Sequence, residues 1–391
     1  MRLSEIKELD AVLVVGSFLR KDHPLFAQRL RQVAKKCGKI SLLSVVQDDP
    51  LIKFHAGISV RPDELPIILA SVVKAAAQLK NEAVPAGLEN VVPCEASQAI
   101  AKSLFVGERS AIFLGNVAEQ SPYAASLHAL TMELARLTNA KFGFIGEAAN
   151  SAGGYLAKAT PTALNANEMF AQPQKAYILL GVEPELDCHN PQQAVDSLKS
   201  AALVVVLTSF SDLAARDYAD VLLPIAAYTE TSGTFINTEG RVQSFNGISR
   251  PIGETRPAWK VLRVLGNLLD QSGFDYESSE DVRSEMLSPG EGFVIGLNNS
   301  LRRAAWSLPE VASGLQRIAD VPIYFTDPLV RRASALQKTN DASMPMARMS
   351  ALTFEATGVT EGAKVRLKQG NGEVVLISKV DDTVPVGCVR V

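Results

Sequence analysis

The chain has 391 residues, 47% of them apolar and 21% charged, with a formal net charge of −3. That length predicts two to three domains whose cores need no disulfide or metal staples. The near balance of charge gives no call for nucleic acid or an anionic membrane as a partner, and no apolar run reaches the roughly 20 residues that would insert into a bilayer.

Acidic residues precede the first apolar run, "MRLSEIKELDAVLVV", so it does not read as a signal peptide. A pattern then repeats along the chain: a β-branched apolar run ends in one glycine, and a polar loop leads to proline and a helical segment. It occurs with Gly16 and Pro24, with Gly115 and Pro122, and with Gly181 and Pro191. Proline suits the first helical turn, where its missing N–H has no intrahelical partner. After Pro24 the spacing of Phe26, Leu30, Val33 and Cys37 predicts one apolar helical stripe that stops at Gly38. Strand, loop, helix, strand predicts parallel α/β sheets, and runs such as "AYILLG" and "ALVVVL" read as strands covered on both faces. Further strands are expected at 39–46, 141–146 and 220–225.

The predicted division is a first Rossmann-like domain over 1–148 and a second over 149–275, meeting near the glycine-rich "GEAANSAGGY". A helical or irregular connection over 276–340 follows, with "YESSEDVRSEMLSPGEG" polar and turn-rich and "NNSLRRAAWSLPEVASGLQRIA" one or two short helices. The last segment, 341–391, alternates with period two around Gly370-Asn371-Gly372 and predicts a small antiparallel β unit. Its strand-like end "VPVGCVRV" is expected to leave an edge or face that either a partner or a further stretch of a longer chain covers.

Cys37, Cys94, Cys188 and Cys388 are far apart and form no metal spacing, which predicts no metal site and a reducing, cytoplasmic environment. The adjacent Cys188 and His189, the helix-start His23 and the mid-helix His128 read as structural. No GxGxxG or GxxxxGK[ST] follows a strand. The chemistry gathers instead in "YTETSGTFINTEGRVQ", residues 228–243, which follows the strand-like "DVLLP". Ligands of open parallel sheets sit outside the strands' carboxyl ends. Thr234 and Asn237 offer neutral hydrogen bonds, Glu230 and Glu239 offer carboxylates, and Arg241 suits phosphate or carboxylate. The same residues also suit a tight turn with Arg241 paired to Glu239 or Glu230, and composition leaves the two readings open.

The run "YADVLLPIAAYTETSGTFINTEGRVQ", with "ISRPIGETRPAWKVLRVLGNLL", "LDAVLVVGSFLRKDHPLFAQRLR", "GEAANSAGGY" and "ILLGVEPELD", resembles the molybdopterin oxidoreductase superfamily. Within it, the form "TEGRVQ" is most similar to the C-terminal, molybdopterin-like region of the large iron–sulfur subunit (75 kDa type) of NADH:quinone oxidoreductase, respiratory complex I. The resemblance covers residues 5 to 275 closely and 340 to 391 loosely. It implies two Rossmann-like α/β domains followed by a small C-terminal antiparallel, barrel-type β unit. It nominates Gly233, Thr234, Asn237, Glu239 and Arg241 as remnants of a pterin-dinucleotide pocket, with no catalytic residue and no molybdopterin held. It also implies iron–sulfur clusters in cysteine-rich domains upstream of this chain, which has no cysteine cluster to build them. Expected partners are the other peripheral-arm subunits of complex I, on the cytoplasmic side of the inner membrane. The whole complex carries electrons from NADH to quinone, and this region supplies no redox centre. Two other readings stay open: a piece of an active molybdenum-dependent dehydrogenase such as a formate dehydrogenase, and an independent nucleotide-binding module.

Overall fold

The computed structural model describes residues 1–48, 51–146, 148–211, 214–287, 297–301, 305–370 and 372–391. Glu147 of the glycine-rich stretch, Asn371 of the hairpin turn, and residues 288–296 and 302–304 of the connecting segments lie outside them.

Five strands make the first sheet: β1 (Ala11–Val15), β2 (Lys39–Ser44), β3 (Ala56–Ser59), β4 (Ser110–Leu114) and β5 (Lys141–Phe144). All pair in parallel, in the order β3-β2-β1-β4-β5. Side chains alternate across a strand, so β1 divides cleanly. Ala11, Leu13 and Val15 enter a core with the helices Leu65–Lys80, Glu95–Leu104 and Ala124–Thr138, while Val12 and Val14 pack with the helix Pro24–Lys35. Both faces are covered, as the unbroken apolar strand predicts. Pro24 opens its helix and Phe26, Leu30 and Val33 are buried. Cys37 departs from the predicted stripe: it lies past the helix end, exposed, with φ at 65°. The chain turns back so tightly there that a Cβ on Gly38 would stand 2.4 Å from Val33 Cγ1.

The second sheet is β6 (Ala176–Leu180), β7 (Leu203–Thr208) and β8 (Val221–Pro224), again parallel and in that order. One face buries Tyr177, Leu179, Val204 and Val206 under the helices Ala166–Ala171 and Pro191–Ser200. The other face departs from the sequence reading. Ile178 is 57% exposed and Leu180 47%, and Leu203 and Val221 are exposed beside them. β9 (Gly233–Ile236) and β10 (Val242–Phe245) then form an antiparallel hairpin.

The remaining strands form a mixed sheet: β11 (Gln316–Ile318), β12 (Ala347–Met349), β13 (Lys364–Gln369), β14 (Gly372–Val380) and β15 (Cys388–Arg390), in the order β11-β15-β12-β14-β13. The predicted β13–β14 hairpin is antiparallel. The sheet as a whole is not: β12 runs parallel to β14, and β11 parallel to β15. β11 falls where short helices were expected, because Gln316–Ile318 fills the edge of β15. The expected open edge at the last strand is therefore closed, and Cys388, Val389 and Arg390 are all buried. A further departure is the helix Ser279–Met286, in a stretch read as turns. Ser278 Oγ accepts from Asp281 N at 3.1 Å while Asp281 Oδ2 accepts from Ser278 N at 2.9 Å, a reciprocal cap.

Two compact units result: residues 1–148, 299–323 and 339–391 form one, and residues 149–298 and 324–338 the other. Ile318, Val384 and Cys388 enter the same buried cluster as β1, which ties the mixed sheet into the first unit. Among the described residues no helix is long and apolar enough to cross a membrane.

Candidate functional site

The polar loop is built on β8. Ile225 N donates to Thr208 O and Ala226 N to Arg256 O, so the strand's exit is held from both sides. Glu230 Oε2 accepts from Ala227 N at 3.2 Å and caps a single helical turn, Tyr228–Glu230. The chain then enters the hairpin. Thr234 Oγ1 and Ser244 Oγ meet across it at 3.0 Å. Gly233 lies under the Phe245 ring, where a Cβ would stand 2.7 Å from Cζ. Tyr228, Phe235 and Phe245 form an aromatic cluster with centroids 5.0 to 6.1 Å apart.

The turn of the hairpin holds the other three nominated residues. Asn237 Oδ1 accepts from Glu239 N at 3.1 Å and from Arg241 N at 2.9 Å. Gly240, at φ +80°, makes the reversal that these bonds require. Arg241 Nε donates to Glu239 Oε1 at 2.9 Å. The structure thus brings Asn237, Glu239 and Arg241 together in one turn, where Asn237 Oδ1 takes two backbone N–H groups and Glu239 takes Arg241 Nε. The Gly-rich stretch at 150–154 serves the same hairpin: Asn150 Oδ1 accepts from Ile236 N at 2.8 Å, and Gly153 leaves room for that amide.

At the hairpin's base lies a cavity of about 650 Å³, lined by Glu230, Ser232, Arg250, Arg256, Trp259 and Lys260 among others. The five nominated residues are not among its lining. Cys188 is half-buried and His189 exposed. His128 Nε2 lies 2.8 Å from Asn299 O, within the first unit. Among the described residues no group of three His, Cys, Asp or Glu is placed to hold a metal ion.

The carboxyl ends of both sheets hold charged clusters that sequence reasoning missed. In the first unit, β1 ends at Gly16, whose Cβ position lies 2.7 Å from Ala118 N. Next to it Arg390 Nη1 donates to Asp48 Oδ1 at 3.0 Å and Nε to Asp320 Oδ2 at 2.9 Å. The same guanidinium lies 5.7 Å from the Phe18 ring centroid. Lys21 pairs with Asp320 at 3.5 Å. Asn116 Nδ2 donates to Asp22 Oδ2 at 2.7 Å; burial raises the Asp22 pKa although that bond opposes it. His23, buried and with no partner at Nε2, is pushed down to about 4 by desolvation.

In the second unit, Glu183 follows the β6 exit and is 6% exposed. Arg331 Nη1 donates to Glu183 Oε2 at 2.9 Å and Arg332 Nη2 to Glu183 Oε1 at 2.6 Å. Arg331 also pairs with Asp187. Burial works against the Arg331 charge, but its bonds to Asp187 and Glu183 outweigh burial and hold its pKa up. No periodicity marks these partners, which lie 148 and 149 positions apart.

The molybdopterin oxidoreductase family model matches residues 1–268. The 78 kDa subunit of mitochondrial NADH-ubiquinone oxidoreductase from Candida albicans is 48% identical over 69 residues, 18% of this chain and 9% of that protein. The putative formate dehydrogenase YrhE of Bacillus subtilis is 35% identical over 114 residues, 29% of this chain and 11% of that protein. Such matches span between 8% and 20% of the curated relatives' lengths. The structure of acetylene hydratase from Pelobacter acetylenicus superposes with a TM-score of 0.69 at 12% identity, over 97% of this chain and 70% of that one, a likeness of fold.

Proposed function

Because the chain belongs to the molybdopterin oxidoreductase family, we propose that it is a structural region of the 75 kDa type of complex I subunit. In this reading it braces cluster-bearing domains of the peripheral arm and holds no cofactor of its own. The observation that carries the reading is the hairpin turn. Asn237 Oδ1, Glu239 Oε1 and Arg241 Nε, groups suited to a pterin dinucleotide, have partners within the turn itself. A turn satisfied internally does not lose by lacking a ligand, whereas a polar pocket built for one leaves groups to be completed. The strand ends support the same view. A diphosphate needs free N–H groups and cations where these parallel strands end. Glu183 sets a buried carboxylate after β6, and Gly16 and Ala118 leave no gap between the loops after β1 and β4. Those residues do not fit the dinucleotide. The exposed aliphatic side chains of Ile178, Leu180, Leu203 and Val221 support a partner, since exposed apolar sheet residues mark protein contacts.

The identity to the Candida albicans subunit favours complex I. The match to the Bacillus subtilis protein favours the second reading, a piece of a molybdenum-dependent dehydrogenase. Metal analysis of the intact protein purified from its source separates them. Co-purification with an NADH:quinone oxidoreductase, without molybdenum or tungsten, is the expected result. Stoichiometric molybdenum or tungsten overturns it.

A further inference from the structure

We propose that the carboxyl edge of the second sheet is a guanidinium-binding socket, made by Glu183, Asp187 and the Phe210 ring and filled by the chain's own Arg331 and Arg332. Where strands of a parallel sheet end, backbone N–H groups and helix N-termini ordinarily make the surroundings favourable to anions. Here the order of charge is reversed. Glu183 has a side chain only 8% exposed, and its backbone N–H donates to Asp187 Oδ2 at 2.7 Å, which fixes the second carboxylate beside the first. Two carboxylates so placed repel phosphate and select a cation.

The geometry selects a guanidinium rather than an ammonium. Each Glu183 oxygen accepts from a different arginine, and Arg331 reaches Glu183 with one terminal nitrogen and Asp187 with the other. A planar fork makes such a bridge; a point charge cannot make it with one fixed geometry. The Arg332 guanidinium also lies 4.2 Å from the Phe210 ring centroid, a stacking contact that suits a flat, weakly hydrated cation.

The segment Tyr324–Lys338 is shaped to present the pair. Arg331 Nε donates to Phe325 O at 2.8 Å, and Gln337 Nε2 donates to Tyr324 O and Val330 O at 2.9 Å each. Asp327 Oδ1 caps the turn at Leu329 N and Val330 N. The strap is thus closed on itself, with both guanidinium groups directed to Glu183.

The test uses the full chain with Trp306→Phe, which leaves Trp259, in the second unit, as the only tryptophan. Thermal unfolding is followed by its fluorescence. Arg331→Ala with Arg332→Ala lowers the midpoint by about 10 °C, because it strands a buried carboxylate. Millimolar guanidinium chloride, far below denaturing concentration, restores most of the loss, whereas equal potassium chloride or GDP does not. Lysine at both positions keeps the charge but regains less than half. Should the double variant fail to fold, Arg332→Ala alone is put through the same rescue. A midpoint equal to the parent's overturns the proposal. So does rescue by potassium chloride as large as that by guanidinium, or rescue by GDP. Metal content tests the structural reading and guanidinium rescue tests the socket, so the two fail separately.

Discussion

The two parallel sheets close their carboxyl ends with the same chemistry and cover their faces in different ways. At the first, Arg390 from β15 joins Asp48 and Asp320 over Phe18. At the second, Arg331 and Arg332 join Glu183 and Asp187 over Phe210. In each case a guanidinium from a later part of the chain sits where an open sheet takes its ligand. The faces diverge: β1 is buried on both sides, while β6 alternates between exposed and buried residues. A shared edge device with unlike faces separates two roles that one sheet often combines. Edge closure belongs to the chain itself, and the exposed aliphatics of β6 are where the proposed partner would sit.

Arg390→Ala breaks the comparison at its strongest point. Its side chain is 8% exposed, and its loss leaves Asp48 without its cation and Asp320 with Lys21 alone. The expected cost is about 4 kcal/mol, read from urea unfolding of the whole chain. A loss below about 1 kcal/mol would mean that the first edge is packed shut by Gly16 and Ala118 without its charges.

Acid separates the two edges next. The His23 pKa falls from 6.5 to about 4 on folding, so protons bind the unfolded chain more tightly. Stability is therefore complete above about pH 7 and declines as pH drops from 6.5 toward 4, by up to about 3 kcal/mol. His23 lies in the first unit, so this contribution belongs there. His23→Leu should make it shallower in urea unfolding at pH 7.5 and 5, leaving the smaller part owed to His55 and His128, which burial also pushes down; an unchanged slope assigns the acid sensitivity to other groups.

The smallest effect tests the faces. Ile178→Ser should change the stability of the isolated chain by no more than about 0.5 kcal/mol, as surface substitutions do. It should nevertheless weaken co-purification with the assembly proposed above. A cost above about 2 kcal/mol would show that the chain itself uses that face as core.

Much of the fold was legible because covered parallel strands write themselves as unbroken aliphatic runs, as β1 and β4 do. Proline marked helix starts at Pro24 and Pro191. The helix at 279–286 was legible in principle from the Ser278 and Asp281 spacing, but its polar surface hid the period. The bare face of β6 was not legible, since "AYILL" reads the same whether one face is covered or two. Nor were the edge clusters: an arginine pair in a polar stretch carries no sign of a carboxylate 148 positions earlier. At the hairpin the residues were found, but composition left open whether they face a ligand or one another, and only coordinates show Asn237 Oδ1 accepting from both Glu239 and Arg241.

The second unit is nested in the sequence of the first, and this orders events during synthesis. Asp48 waits for Arg390, 342 positions on, whereas Glu183 waits only 148 positions for Arg331. At ribosomal speed those intervals are roughly 20 to 70 seconds and roughly 7 to 30 seconds. The half of the molecule that begins later is thus able to finish earlier. The half that begins first keeps Asp48 without its arginine through the longer nascent period, and Asp320 waits only 70 positions.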